Sequence, residues 1–288
     1  MTTALITGAN SGIGRSAAVD LAAKGWTVYG SMRGLDKGEK LAAMAADAGV
    51  EVHPVVCDVT DVESVNRAVA EVTADAGQID VLINNAGVGG NGVLEETPVD
   101  EYQNVMDVNL YGVIRGVQAV LPQMRERGSG CIINVSSIAG VIAALAQSPY
   151  VASKWALEGL TEGLAQEVAG HGIRVAMIEP GIVKTAIMAK NTDAPNASGA
   201  YDRAYRRLFN FYAKGLANPG HPSEVAAVIY EAATTDQPKL RYTCGWGGEE
   251  LIAGKAQLRD EDWVELGAIE DDAVYAERFK ELFNLDIG

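Results

Sequence analysis

Seven short apolar runs alternate with longer stretches of helical periodicity, and this rhythm limits the fold more than any other feature of the chain. The runs are Ala4–Thr7, Thr27–Ser31, Glu51–Val56, Val81–Asn84, Cys131–Ser136, Arg174–Glu179 and Leu240–Thr243. They read as nearly continuous apolar segments, as strands buried on both faces do. Helix-period segments fill the gaps at Ile13–Lys24, Lys37–Ala48, Val62–Ala76, Val99–Arg127, Pro149–Ala169 and Ser223–Thr234. Strand, helix, strand in repetition predicts a parallel sheet. Right-handed crossovers then stack it as a doubly wound, Rossmann-like α/β fold of about seven strands with helices on both faces.

Composition narrows the partners. The chain has 288 residues, with 23 Lys and Arg against 38 Asp and Glu, a formal charge of −15. Nucleic acid and anionic membranes both demand a positive face, so neither is expected as a partner. A solvated acidic surface is the plainer reading of the excess. Cys57, Cys131 and Cys244 lie far apart, with no Cys-x-x-Cys and no histidine at zinc-ligand spacing. No metal is expected, and a reducing compartment fits. The chain runs straight from Met1 into a strand-like segment, without a basic stretch preceding an apolar one. No apolar run approaches the roughly 20 residues that span a bilayer. A cytoplasmic protein is expected.

Two regions break the rhythm. Residues 187–222 carry Asn, Pro and Gly around a helical, aromatic, Arg-rich stretch at Tyr201–Tyr212, and read as a mobile lid inserted in the domain. From Glu249 onward the chain holds twelve acidic and four basic side chains, yet also Trp263, Val264, Leu266, Phe279, Leu282 and Phe283. Such a mixture predicts amphipathic helices packed on the domain or on a partner subunit, not a disordered tail. The expected division is a single Rossmann-like domain over 1–248, including the lid at 187–222, and an acidic helical extension over 249–288.

Local chemistry concentrates at two places. Thr7-Gly8-Ala9-Asn10-Ser11-Gly12-Ile13-Gly14 follows the first strand and opens the first helix. Glycines there permit a tight turn and close approach of a pyrophosphate to the backbone, and the helix N-terminus favours its charge. Farther on, Tyr150-Val151-Ala152-Ser153-Lys154 puts a phenol and an amine on one helix face. A tyrosine with a pKa near ~10 is a poor base, and a neighbouring ammonium is expected to lower that value. Ser137 lies thirteen residues before Tyr150 at the end of the fifth strand, with Ser136 as its competitor. Strand alternation sends the two in opposite directions.

The glycine spacing, together with Asp58-Val59, Asn84-Asn85-Ala86-Gly87, Val108-Asn109-Leu110-Tyr111-Gly112, Ser136-Ser137, Tyr150-x-x-x-Lys154 and Pro180-Gly181, resembles the compact branch of the short-chain dehydrogenases/reductases. The likeness runs in order over roughly residues 1–245. It implies a nicotinamide cofactor held by Gly8, Asn10, Ser11, Gly12, Ile13 and Gly14, by Asp58 and Val59 at the adenine, and by Asn85, Ala86 and Gly87 beside the adenosine ribose. Pro180, Gly181, Ile182, Val183 and Thr185 are implied at the nicotinamide, with Tyr150 and Lys154 bridging cofactor and substrate. Asn109, Ser137, Tyr150 and Lys154 are the implied catalytic set. In it Asn109 distorts its helix and holds a water that links Lys154 to solvent. Met32 stands where members that prefer NAD often place Asp, and Arg33 follows it. A guanidinium suits a 2′-phosphate in charge and geometry, so NADP(H) is expected, with NAD(H) possible. Ser11 occupies a position that is basic in some NADP-preferring relatives.

The reaction so implied interconverts a small-molecule alcohol and a ketone or aldehyde. An NAD(P)-dependent epimerase or dehydratase is one alternative, disfavoured by the glycine spacing; a non-catalytic NADP-binding regulator is the other, disfavoured by the complete catalytic set. Met188, Leu208, Phe209, Phe211 and Tyr212 of the lid, with Ala143, Ala144 and Leu145, suggest an apolar or aromatic substrate. Arg203, Arg206 and Arg207 leave room for an acidic one, although surface solvation is their plainer role. His53, His171, His221, Trp26 and Trp155 are read as structural, and Asn196-Ala197-Ser198 as a chance match to a glycosylation site. Relatives suggest a homodimer or homotetramer.

Overall fold

The computed structural model describes residues 1–190 and 195–288. Its centre is a seven-stranded sheet with all neighbours parallel: β1 (Thr3–Ile6), β2 (Thr27–Met32), β3 (His53–Val56), β4 (Val81–Asn84), β5 (Gly130–Val135), β6 (Ile173–Pro180) and β7 (Arg241–Cys244). The order across the sheet is β3-β2-β1-β4-β5-β6-β7, as the doubly wound expectation requires. Side chains alternate between two cores. Ala4, Ile6, Ile83 and Ile133 point to one face, which α1 (Gly12–Ala23), α2 (Glu39–Asp47) and α9 (Pro222–Thr234) cover. Leu5, Leu82 and Ile132 point to the other, under α3 (Val62–Ala76), α5 (Gly112–Arg127) and α6 (Ser148–Val168). The order reverses between β1 and β4, and the crevice beyond their C-terminal ends is where such sheets bind ligands.

The single helix expected over Val99–Arg127 is interrupted. α4 (Val99–Met106) gives way to one π-helical turn at Asp107–Tyr111 before α5 begins. Asn109 sits in that turn and is 1% exposed. Its Oδ1 accepts from the Val88 N–H at 2.8 Å, while Nδ2 donates to the Val88 carbonyl at 2.9 Å and to Ser153 Oγ at 3.0 Å. These bonds hold the turn open against the loop after β4, and a π-turn at such a point commonly marks a functional site.

The described residues of 187–222 are largely helical. α7 (Ala186–Lys190) precedes residues 191–194, the part of the expected lid that lies outside the described residues. α8 (Asp202–Ala217) then extends the expected helix by a turn and buries Tyr205, Leu208 and Tyr212 against Val93, Ala146 and Ile182. The acidic extension forms α10 (Gly248–Lys255), α11 (Asp260–Ala268) and α12 (Asp272–Phe283). Tyr275, Phe279 and Phe283 recur one turn apart, so α12 presents an apolar stripe, and with Leu251 and Leu266 it packs on Ile138 and Ile142 beyond β5. Among the described residues no helix is long and apolar enough to cross a membrane.

Candidate active site

One cleft of about 520 Å³ opens at the C-terminal ends of the strands and runs from the glycine turn to the extension. At its first end Gly8 and Gly12 adopt φ of +68° and +53°, a region costly for any side chain. A Cβ on Gly8 would also come within 2.9 Å of Ala86 Cα. Asn85 staples this turn to β4: Nδ2 donates to the Thr7 and Gly8 carbonyls at 2.9 and 3.2 Å, and its own N–H donates to Thr7 Oγ1 at 3.0 Å. The Ser11 side chain caps none of the N–H groups of α1. Those donors and the helix dipole thus remain to favour an anion.

Asn10, Ser11, Ile13, Asp58, Val59, Ala86 and Gly87 all line this end, as does exposed Arg33. Gly14 does not; a Cβ there would strike Asn85 Nδ2 at 2.3 Å and the Gly8 carbonyl at 2.7 Å, so it serves the close packing of α1 on the turn. Burial raises the Asp58 carboxyl, but the Thr60 N–H and Oγ1, donating at 3.0 and 2.7 Å, and the charges of Arg33 and Arg115 outweigh it and leave the group below its usual range. Lys37 faces the same space, a second basic group that the reading of the turn alone overlooked. It sits just beyond the Met32-Arg33 pair, four residues after Arg33.

At the middle of the cleft, Ser137, Tyr150 and Lys154 come together. Ser137, not Ser136, has its hydroxyl beside the Tyr150 phenol and draws its pKa down; Ser137 Oγ donates to the Pro180 carbonyl at 3.5 Å and accepts from the Ala139 N–H at 3.1 Å. Ser136 Oγ is buried without a partner among the described residues. Lys154, 5% exposed, donates from Nζ to the Val135 carbonyl at 2.9 Å, and Nζ lies 5.7 Å from the centre of the Tyr150 ring. The expected lowering of the phenol does not hold for the protein's own groups. Burial raises Tyr150, the Ser137 hydroxyl pulls it back, and the sum is upward. The amine pays the same desolvation: burial lowers Lys154 to about 8, against the opposing charge of Glu158. Asn109 does not line the cleft; it stands behind, bonded to Ser153.

Pro180, Gly181, Ile182, Val183 and Thr185 form the facing wall, where Gly12 packs against Thr185. Met188, Leu208, Phe211, Tyr212, Ala144 and Leu145 line the cleft, whereas Ala143 and Phe209 do not; Phe209 instead stacks on Tyr205. The far end is made by Leu251, Trp263, Tyr275, Phe279 and Ile287 of the extension, a wall that strand–helix periodicity had no means to place. Arg207, read from sequence as a solvated surface group, is 5% exposed and lines the cleft. His221 is structural in position: its Nδ1 accepts from the Ser223 N–H at 3.2 Å and caps α9.

Residues 2–196 match the family described as short chain dehydrogenase. The chain belongs to that family. Among characterised and uncharacterised relatives it is 40% identical to the uncharacterized oxidoreductase YusZ of Bacillus subtilis (strain 168), over 85% of this chain and 89% of that one. It is 37% identical to the estradiol 17-beta-dehydrogenase 1 of Rattus norvegicus, over 98% of this chain and 83% of that one. A short-chain dehydrogenase from Streptomyces avermitilis has a similar solved structure, with TM-score 0.78 and 35% identity over 93% of this chain and 99% of that one. The protein is therefore an oxidoreductase of this family, whose members bind nicotinamide cofactors. The cleft fits such a dinucleotide: a glycine cradle that side chains would fill, an uncapped helix N-terminus for the pyrophosphate, and two basic groups beyond it.

Proposed function

We propose that the protein interconverts an alcohol and a ketone or aldehyde with NADP(H), using Tyr150 as general acid and base. The observation that carries this reading is the convergence of Ser137, Tyr150 and Lys154 on the wall of the cleft that also holds the glycine turn, with Lys154 Nζ 5.7 Å from the centre of the Tyr150 ring. When bound, the reduced nicotinamide supplies a hydride. Ser137 donates to the substrate oxygen and polarises it, and Tyr150 gives that oxygen a proton. The raised phenol suits this direction, because it is protonated at neutral pH and its proton is freed only as charge develops on the substrate. Lys154 holds the ribose of the cofactor and returns the proton to Tyr150. Asn109 spends both Nδ2 protons on Val88 and Ser153, leaving a lone pair on Oδ1 to hold a water on the path outward.

The cofactor is held by Gly8, Asn10, Ser11, Gly12 and Ile13 at the pyrophosphate, and by Asp58, Val59, Asn85, Ala86 and Gly87 at the adenosine. Pro180, Gly181, Val183 and Thr185 hold it at the nicotinamide, and Gly14 supports the turn. Arg33, with Lys37, favours the 2′-phosphate of NADP(H), because two cations meet a dianion better than they meet a free hydroxyl pair. NAD(H) remains a weaker substitute. Residues 1–248 form the catalytic domain and 249–288 an extension that closes the substrate end. Half-exposed Tyr111 and Trp155, on the helices flanking the site, favour a homodimer or homotetramer, and the acidic, thiol-bearing chain fits the cytoplasm.

Tyr150→Phe tests the assignment. NADPH should still quench tryptophan fluorescence with near-unchanged affinity, while turnover of ketones falls by at least about a hundredfold. Retained turnover would refute the role of Tyr150.

A further inference from the structure

The substrate end of the cleft is apolar almost throughout, with Phe211 of α8 facing Trp263, Tyr275 and Phe279 of the extension. Among them stands one guanidinium, that of Arg207, whose side chain is 4% exposed. A cation in such surroundings is costly unless its charge and its donors are met. Those of Arg207 are met in part. Nε donates to Asp272 Oδ1 at 2.8 Å, Nη2 donates to the Ile269 carbonyl at 2.6 Å, and the guanidinium lies 3.9 Å over the Tyr275 ring. Among the described residues nothing accepts from Nη1. Asp272 is also shared, since its Oδ2 takes Arg206 Nε at 2.5 Å, so two guanidiniums divide one carboxylate. The neighbouring Asp271 turns its Oδ1 to the Ala273 and Val274 N–H groups instead.

We propose that Arg207 anchors a carboxylate of the substrate, so that the molecule reduced or oxidised is an apolar oxo acid or hydroxy acid. This rests on the oxidoreductase reading above and specifies its substrate. A carboxylate enclosed by Trp263 and Phe279 loses its hydration and needs a cation with an unspent donor, which Nη1 supplies. A methyl or ring carbon in its place leaves Nη1 desolvated and unpaired, and that penalty, more than the attraction itself, creates discrimination. The shared Asp272 fixes the planar fork without fully cancelling its charge.

The test uses the full chain with NADPH and alkyl aryl ketones of one skeleton that end in carboxylate, hydroxyl or methyl. The carboxylate member should exceed the methyl member in kcat/KM by at least about tenfold, with the hydroxyl between them. In Arg207→Gln that ratio should fall below about threefold, by loss of the same charge-assisted bond. Arg207 also ties α8 to the chain before α12, so the ratio between matched substrates is read rather than either rate. Arg206→Gln, which cuts an Asp272 tie from outside the cleft, should keep the ratio. A wild-type ratio near one, a hydroxyl member equal to the carboxylate, or an Arg206→Gln collapse as deep as that of Arg207→Gln would overturn the proposal. If no ketone turns over, thermal midpoints decide. Stabilisation by the carboxylate member alone, lost in Arg207→Gln, leaves the anchor standing and removes the redox reading; equal midpoints for all members remove both.

Discussion

The Lys154 ammonium donates to the Val135 carbonyl oxygen at 2.9 Å and so ties α6, which carries Tyr150, to the strand that ends beside Ser137. That bond is made at the expense of hydration. Burial lowers the amine to about 8, and Glu158, one turn farther along α6, opposes the fall without cancelling it. An amine of that value remains mostly charged at neutral pH, yet gives up its proton more readily than a surface lysine. The position is thus suited to both a cationic ribose contact and a proton relay.

The same burial predicts a pH signature in stability. The folded state holds its proton less tightly than the unfolded chain, so stability from this group is full above about 10.5 and is lost as pH falls through about 8. Lys154→Met removes the titration. The stability of wild type relative to Lys154→Met should therefore rise by about 2 kcal/mol between about pH 7.5 and pH 9.5. Urea unfolding of both proteins at the two pH values checks this, and a constant difference would rule out a desolvated Lys154.

Cofactor preference should reside in Arg33 and Lys37, the cations at the first end of the cleft. Arg33→Ala should raise KM for NADPH by at least about tenfold and leave that for NADH near its starting value, since only the former loses a charge-assisted phosphate contact. Adding Lys37→Ala should reduce the discrimination further. Steady-state kinetics with both cofactors read the ratio, and equal losses for NADPH and NADH would move the phosphate contact elsewhere.

The sheet and the central chemistry were legible because each depends on short spans of chain. Buried parallel strands must be apolar at successive positions, and the phenol and amine are placed by helical spacing alone. Alternation says only that Ser136 and Ser137 point apart; the preference for Ser137 comes from the family's spacing to the tyrosine, and it is the Ser137 hydroxyl that draws the Tyr150 phenol down. Three things were not legible. A distortion at Asn109 is implied by the family likeness, but not its form: the π-turn needs Val88, twenty-one residues away, to hold it open. The sum on Tyr150 depends on burial, which spacing does not report. The substrate wall joins Arg207 to Asp272 and Tyr275 across more than sixty residues. The stripe of Tyr275, Phe279 and Phe283 announces a buried helix face, but not what that face meets.

That stripe divides into two kinds of residue, and the division can be measured. Phe283 is 1% exposed and does not line the cleft, whereas Phe279 does both jobs, packing between Tyr275 and Phe283 and facing the substrate end. Phe283→Ala should cost about 3–5 kcal/mol in urea unfolding, through the cavity it leaves. Phe279→Leu keeps most of the volume and should cost less than about 1.5 kcal/mol while changing KM for apolar ketones severalfold. A Phe279→Leu enzyme with unaltered KM across aryl and alkyl ketones would exclude the extension from the substrate site.

Behind Lys154 lies a second buried pair whose charge should shape stability in acid. Glu179, 1% exposed, and Glu158, with a side chain 8% exposed, share Arg241, whose Nε lies 3.3 Å from Glu179 Oε1 and 3.2 Å from Glu158 Oε2. Burial, then the Glu158 charge, raises Glu179 to about 7, while Thr243 and Arg241 pull it down. For an acid raised in this way the folded state keeps a proton that the unfolded chain releases near ~4.5. Its stabilisation is full below that value and is lost as pH rises through about 7. Glu179→Gln cannot ionise. Wild type should thus lose stability relative to Glu179→Gln as pH rises from about 4.5 to about 7, and the difference should level off above that window. Glu158→Gln removes one cause of the shift, so it should move the wild-type transition toward lower pH. Parallel urea curves for wild type and Glu179→Gln across the window would show that Glu179 is ionised throughout, with Arg241 meeting its charge in full.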